Sequence, residues 1–252
     1  MHQDLSLAAG DQILQTEICV VGSGAAGIST ARRLLSLGHS VLLLESGGLD
    51  YEADIARLNA GENRGEDYYD LEDARLRFFG GTTAIWGGRV AELDPIDLEK
   101  RDWVPHSGWP MAWADLDSYY APARKIFGFS GKPAPDALAQ AGVPAPDFDP
   151  DKLEIGYWSF DQKFNRFVFD ACKDLRDHPR CTIVTHATVT DLTLNSDGNA
   201  LTGLTARSLN GNTLRVHAHQ VVLAAGGMEN PRLLLASQIG RASCRERVYH
   251  PV

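Results

Sequence analysis

The chain has 252 residues, 44% of them hydrophobic and 23% charged, which suits one large or two small folded domains and excludes collagen, coiled coil and wholesale disorder. Lysine and arginine number 24 against 33 aspartates and glutamates, and the resulting net charge of −9 makes a nucleic-acid backbone an unsuitable partner. No apolar run approaches the roughly 18–20 residues that span a bilayer.

The opening stretch MHQDLSLAAGDQILQTE has neither the basic region nor the apolar core of a secretory signal. Four cysteines (Cys19, Cys172, Cys181, Cys244) show no C-x-x-C or zinc spacing. Free thiols, a cytoplasmic location and no metal site are therefore expected. The compositional outlier is glycine, 24 residues with doublets at 47–48, 80–81, 87–88 and 226–227, as if backbone had to come close to a ligand.

In chain order, Glu17–Val21 (EICVV) reads as a buried strand that runs into Gly22-Ser23-Gly24-Ala25-Ala26-Gly27. A helical pattern follows from Ala25 to Leu37, closed by Gly38, and Ser40–Glu45 (SVLLLE) reads as a second buried strand. This is a β-turn-α-turn-β unit with parallel strands. A helix is expected around Asp70–Leu76, then the glycine-rich stretch 80–89. Asp115–Phe127 reads as a helix kinked or divided by Pro122, and 131–150, with prolines at 133, 135, 144, 146 and 150, as a surface excursion. Asn165–Leu175 looks helical. Thr182–Ala225 reads as an antiparallel meander, separate from the parallel sheet, with turns at Asp197-Gly198 and Asn210-Gly211. A last helix is expected with Asn230 as N-cap, Pro231 at its first position, Arg232–Gln238 in its body and Gly240 beyond its end. The tail GRASCRERV (240–248) lacks helical or strand spacing and resembles a translated sequencing adapter.

The G-x-G-x-x-G turn has a mechanical reading. The first glycine permits the tight strand-to-helix turn, the second lets backbone approach a pyrophosphate, and the third allows close helix–strand packing. Glu45, 18 residues beyond Gly27 at the end of the next strand, can accept hydrogen bonds from a ribose diol. This unit argues for a dinucleotide and against a 2′-phosphate; by itself it does not separate FAD from NAD.

Three further segments carry a resemblance. FGGTTAIWGGR (79–89), SGWPMAWADLDSYYAPA (107–123) and VVLAAGGMENPRLLLAS (221–237) are similar, in order, to stretches of the glucose–methanol–choline oxidoreductases, the second as in bacterial sugar-dehydrogenase-like members. The resemblance covers that family's N-terminal, FAD-binding half. It implies an α/β fold: a Rossmann-like FAD-binding domain with a parallel sheet, an antiparallel meander and a truncated part of a substrate domain. The corresponding division is 14–90 FAD-binding, 91–180 substrate-domain region, 181–239 meander with return strand and helix, and 240–252 non-native tail.

The activity implied is hydride transfer from the CH–OH group of a small alcohol, polyol or sugar to flavin N5, with an electron acceptor left open. The implied contacts are Gly22, Ser23, Gly24 and Gly27 at the pyrophosphate and Glu45 at the adenosine ribose. Gly80, Gly81, Thr82 and Thr83 would run along the pyrophosphate and flavin side, with Val189 (in HATVTDL) at the adenine and Ala225 and Gly226 closing over the dinucleotide. The family's catalytic histidine matches nothing here. His106 and His186 are read as structural or exposed, and His217 and His219 receive no catalytic role. Ile85 stands where some members carry a flavin-linking histidine, so FAD is expected to be non-covalent. Trp86 is read equally as flavin-side packing or core. The alternatives are a nucleotide-binding module without turnover, which the chain can be even if its parent is an enzyme, and an NAD-linked Rossmann dehydrogenase.

Overall fold

The structure, a computed structural model, describes residues 1–239 apart from 132, 134, 135 and 150. The expectations placed on the tail from Gly240 on, on Cys244 and on Pro135 and Pro150 lie outside the described residues. In chain order the elements are β1 (His2–Asp4), β2 (Gln12–Val21), α1 (Ala25–Ser36), β3 (Val41–Leu44), α2 (Ala53–Ala56), β4 (Arg89–Val90), α3 (Pro95–Leu98), α4 (Trp113–Phe127), α5 (Ala137–Gln140) and β5 (Ser159–Phe160). Then come α6 (Lys173–Arg176), β6 (Cys181–Thr185), β7 (Thr188–Leu194), β8 (Leu201–Arg207), β9 (Thr213–Leu223) and α7 (Glu229–Ala236). They form two compact units, one joining Met1–Ile85 to the described residues from Asn165 on, the other Trp86–Phe164.

The first unit is built on a seven-stranded sheet in the order β1-β6-β3-β2-β9-β8-β7. Its first five strands are parallel, with Ile18–Val21 of β2 flanked by Val41–Leu44 of β3 and by Gln220–Leu223 of β9. Strands covered on both faces are apolar at every position, and β3 (VLLL) is buried throughout. α1 presents Gly27, Ile28, Ala31 and Leu35 as its buried stripe. Each fully buried valine or leucine side chain contributes about 1.5–3 kcal/mol, so this centre supplies much of the unit's stability.

Several elements differ from the sequence reading. β2 starts at Gln12 instead of Glu17, because its first half alternates, with Ile13 exposed and Leu14 partly buried, and pairs with the long β9. The stretch 182–225 is not a meander apart from the parallel sheet. β6 pairs in parallel with β1 and β3, and β9 is antiparallel to β8 while parallel to β2. One core therefore joins Val21 and Leu44 to Val189, Leu204, Val216 and Leu233 of α7. The turns at Asp197-Gly198 and Asn210-Gly211 do connect β7 to β8 and β8 to β9, with Gly198 and Gly211 at φ 70° and 96°.

The helix read over Asp70–Leu76 is a single turn, Asp70 to Ala74. Beyond it the backbone is drawn to neighbours: the Arg75 carbonyl accepts from Asn59 Nδ2, and the Leu76 N–H donates to Thr82 Oγ1. Asn165–Leu175 is a 3₁₀ turn (Phe169–Cys172) followed by the short α6, not one helix. α7 begins at Glu229 with Met228 as N-cap, so Asn230 is not the cap.

In the second unit α4 runs on through Pro122 undivided. The Asp115 carboxylate receives the Ala112 N–H at its start, and Gly128 in the left-handed region ends it. A short α5 sits within the proline-rich excursion. β4 and β5 pair as an antiparallel ribbon, and the partly buried Trp86 ring lies 5.8 Å from that of Phe127.

Candidate functional site

The parallel strands converge on a cleft of about 700 Å³ in the first unit, a size typical of small-molecule sites. Its floor is the β2–α1 turn. Gly22 has φ 100°, donates its N–H to the Leu44 carbonyl at 2.8 Å, and lies so close to the chain just after β9 that a Cβ would come within 2.6 Å of the Ala224 carbonyl oxygen. Gly27 sits against the same turn, where a Cβ would stand 1.8 Å from the Gly22 oxygen. Gly24 differs: a Cβ there meets no atom within 4 Å, and the residue lines the cleft. Two glycines thus build the turn, and the third leaves open the space above it.

The second glycine-rich segment lies on the first. Gly80 donates its N–H to the Ser23 carbonyl at 2.9 Å and forms a parallel bridge with Gly24. Its φ of 94° and its approach to the Phe167 carbonyl require glycine. A 3₁₀ turn, Gly81–Ala84, follows; Thr83 Oγ1 donates to the Gly80 carbonyl at 2.6 Å. Gly81 and Thr82 line the cleft, whereas Gly27, Gly80 and Thr83 lie behind it as supports.

Glu45, at the end of β3, is buried. Its Oε2 accepts both the N–H and the hydroxyl of the buried Ser23, at 2.9 and 2.6 Å, and its Oε1 accepts the Gly47 N–H at 3.1 Å. Burial pushes the carboxyl above its ordinary range, and the bonds from Ser23 and Gly47 oppose that shift. Val189, Ala225 and Gly226 line the same cleft; Val189 is next to a bulge in β7. Asn230 clamps the chain after β9, accepting the Ala225 N–H at 2.9 Å and donating to the Leu223 carbonyl at 3.2 Å.

Sequence reasoning missed one group. Arg75, Arg77 and Arg232 all bond Glu229, at 2.8, 2.8 and 2.6 Å, on the wall of this cleft. Burial works to raise the Glu229 carboxyl, but the three guanidinium groups outweigh it and hold it down to about 2. Arg77 also donates to Asn59 Oδ1 and Ser46 Oγ. An isolated R-x-R is too common to be a signal, which is why nothing in the sequence marked it.

Of the histidines, His106, His217 and His219 are exposed. His186 is held between carboxylates, Nδ1 2.9 Å from Asp4 and Nε2 2.8 Å from Glu52, just before the cleft residues Ala187–Val189. Burial lowers its basicity, but the bonds to Glu52 and Asp4 win and raise it above the ordinary 6.5. The raised value means that this clasp stabilises the fold below the unfolded value of 6.5 and is lost as pH rises through the higher folded one. His186→Asn, which tolerates the site's φ of 51°, is expected to lower thermal stability by about 1 kcal/mol or less near pH 6 and by nothing near pH 9. A destabilisation equal at both pH values would show that charge is not involved.

A dinucleotide requires backbone that it can approach, an acceptor for ribose hydroxyls and cationic donors near phosphate, and the cleft offers each. Among the described residues, open space lies over Gly24, Gly226 and Gly227, and the Nε of Arg75 is buried without an acceptor. The family model described as FAD dependent oxidoreductase matches residues 17–249. The chain belongs to that family.

Individual relatives agree. It is 28% identical over 270 residues to an oxygen-dependent choline dehydrogenase of Staphylococcus saprophyticus, covering 88% of this chain and 47% of the relative. It is 33% identical over 147 residues to a 6'''-hydroxyparomomycin C oxidase of Streptomyces lividus, covering 53% and 27%. Among solved structures, pyridoxine 4-oxidase from Mesorbium loti superposes with a TM-score of 0.57 at 24% identity, over 89% of this chain and 52% of that one. A formate oxidase of Aspergillus oryzae RIB40 does so with 0.52 at 19%, over 90% and 48%. These two show the fold alone. The chain spans about half the length, or less, of the relatives it matches. The matches bear out the glucose–methanol–choline resemblance, with FAD as the family's cofactor, and set aside the NAD-linked alternative. No helix among the described residues is long and apolar enough to cross a membrane.

Proposed function

We propose that this chain is the FAD-binding portion of an oxidoreductase that oxidises the CH–OH group of a small alcohol, polyol or sugar. What carries the reading is the bond from Gly80 to the Ser23 carbonyl, which lays the second glycine-rich segment against the dinucleotide turn. A plain nucleotide turn has no need of that second layer. In this reading Gly22, Ser23, Gly24 and Gly27 shape the pyrophosphate floor, with the α1 N-terminus favouring its negative charge. Glu45 accepts from the adenosine ribose, and Val189 borders the adenine. Gly81 and Thr82 continue toward the flavin, supported from behind by Gly80 and Thr83, while Ala225 and Gly226 close the other side. FAD, when bound, supplies the acceptor for a hydride from the alcohol carbon.

A base must also take the hydroxyl proton. Among the described residues no histidine lines the cleft, which supports placing that base in the part of the parent protein not represented here. On this reading the 252-residue chain binds cofactor and does not turn over alcohol. The names of two relatives, a choline dehydrogenase and a 6'''-hydroxyparomomycin C oxidase, support an alcohol-type substrate. The buried free thiols Cys19, Cys172 and Cys181 support a reducing, cytoplasmic setting.

The test is a titration of the purified chain with FAD and with NAD, read by flavin fluorescence and calorimetry. Saturable binding of FAD in preference to NAD is expected, and preference for NAD would overturn the reading. Because Ile85 offers no nucleophile, acid denaturation is expected to release all of the flavin into the supernatant. Colour absorbing near about 450 nm that stays with the precipitated polypeptide would refute non-covalent binding.

A further inference from the structure

The wall of the cleft carries a charge arrangement that the turn and the ribose acceptor do not use. Three arginines, 75, 77 and 232, line the cleft against two carboxylates, Glu45 and Glu229. Glu45 is already bonded by Ser23 and Gly47 and feels the charge of Arg77, while all three arginines bond Glu229. Two carboxylates do not fully neutralise three guanidinium groups. The wall is left cationic, in a recess where screening is weaker than at open surface.

The arginines are not equivalent. Arg77 is nearly buried and all three of its nitrogens are engaged, by Asn59, Ser46 and Glu229. Arg75 reaches Glu229 and the Leu71 carbonyl, and among the described residues its Nε has no acceptor. Arg232 is half-exposed and bonds Glu229 through Nε, and among the described residues its two terminal nitrogens meet no hydrogen-bond partner. A guanidinium fixed at one edge and open at the other matches an anion with paired oxygens, the geometry of phosphate.

We infer that the Arg75–Arg77–Arg232 cluster gathered on Glu229 is a recognition element for the diphosphate of the bound nucleotide, with Arg232 the residue that meets it and Glu229 the residue that positions Arg232. The inference rests on the FAD-site reading above. It adds to the glycine, serine and threonine contacts read from the sequence a cationic selection for phosphate, carried by the return segment ENPR and the R-L-R stretch before the second motif. Glu229 stays ionised throughout the ordinary pH range, so the cluster keeps its geometry without depending on pH.

The test is calorimetric titration of the chain with FAD, ADP, adenosine and riboflavin, for wild type, Arg232→Gln and Arg75→Gln, with thermal melting of each variant as a check on folding. Arg232→Gln is expected to weaken FAD and ADP by about tenfold or more, the loss of one charge-assisted pair, and to leave adenosine and riboflavin unchanged. Raising salt from about 0.05 M to about 0.5 M is expected to weaken FAD and ADP more in wild type than in Arg232→Gln. Arg75→Gln, which keeps Glu229 bridged by two arginines, is expected to show the same selectivity with a smaller loss. If both variants weaken adenosine as much as ADP, the cluster is structural and the inference is overturned. FAD binding that neither variant alters overturns this inference alone, whereas a wild-type chain that binds neither FAD nor ADP overturns the FAD-site reading with it.

Discussion

Alanine at position 27 is expected to abolish FAD binding and to destabilise the first unit by about 3 kcal/mol or more. The added Cβ would lie 1.8 Å from the Gly22 carbonyl oxygen and 3.0 Å from its carbon. Both are backbone atoms, so no side-chain rotation relieves the clash. Nor can Gly22 retreat: its N–H is bonded to Leu44, and Ala224 stands directly behind it. α1 would have to lift from the sheet, and Ile28, Ala31 and Leu35 would lift with it. Against a total stability of about 5–15 kcal/mol that loss is severe. Gly24→Ala is the contrasting variant. Its backbone, at φ −72°, accepts alanine, and the new Cβ projects into open space. It is expected to melt like wild type but bind FAD more weakly. Thermal unfolding with FAD titration of both variants distinguishes fold from cleft, and a Gly27→Ala chain that melts and binds like wild type would refute the close α1–turn packing.

Why these positions were legible in the sequence, and others not, follows from the range of the interactions. The β2-α1-β3 unit is local: its strands read as apolar runs, its glycines fall at fixed spacing, and Gly38 marks the end of the helix. All of these signals lie within about thirty residues. The partner choice of β6 and β9 is not local. CTIVT is short, and nothing within it states that it lies between β1 and β3, at sequence distances of over a hundred residues. β9 defeats period counting because its first part alternates while its end, VVL, is the parallel kind. Asn230 reads as a helix cap because it precedes proline, yet its side chain turns back to Ala225 and Leu223. The arginine–Glu229 cluster joins residues more than 150 positions apart, and only tertiary structure brings them together.

Replacing Glu45 is expected to cost FAD affinity by roughly 10–150-fold, the equivalent of a charge-assisted hydrogen bond to a ribose hydroxyl. The structure makes the experiment harder to read than the sequence suggests. The same carboxylate accepts from the Ser23 N–H, the Ser23 hydroxyl and the Gly47 N–H, so Glu45→Ala strands buried donors, each at about 1–3 kcal/mol, and loosens the turn under the pyrophosphate. Lost affinity could then arise without any ribose contact. Glu45→Gln keeps the volume and one acceptor oxygen and is the milder variant. A cycle separates the two causes. ADP and 2′-deoxy-ADP are titrated against wild type and Glu45→Gln. If the carboxylate meets the diol, wild type should prefer ADP, and the variant should lose most of that preference. If Glu45 serves only the turn, both nucleotides should weaken by the same factor and the preference should survive. That second outcome would remove Glu45 from the ribose and leave it as the residue that holds Ser23 in place.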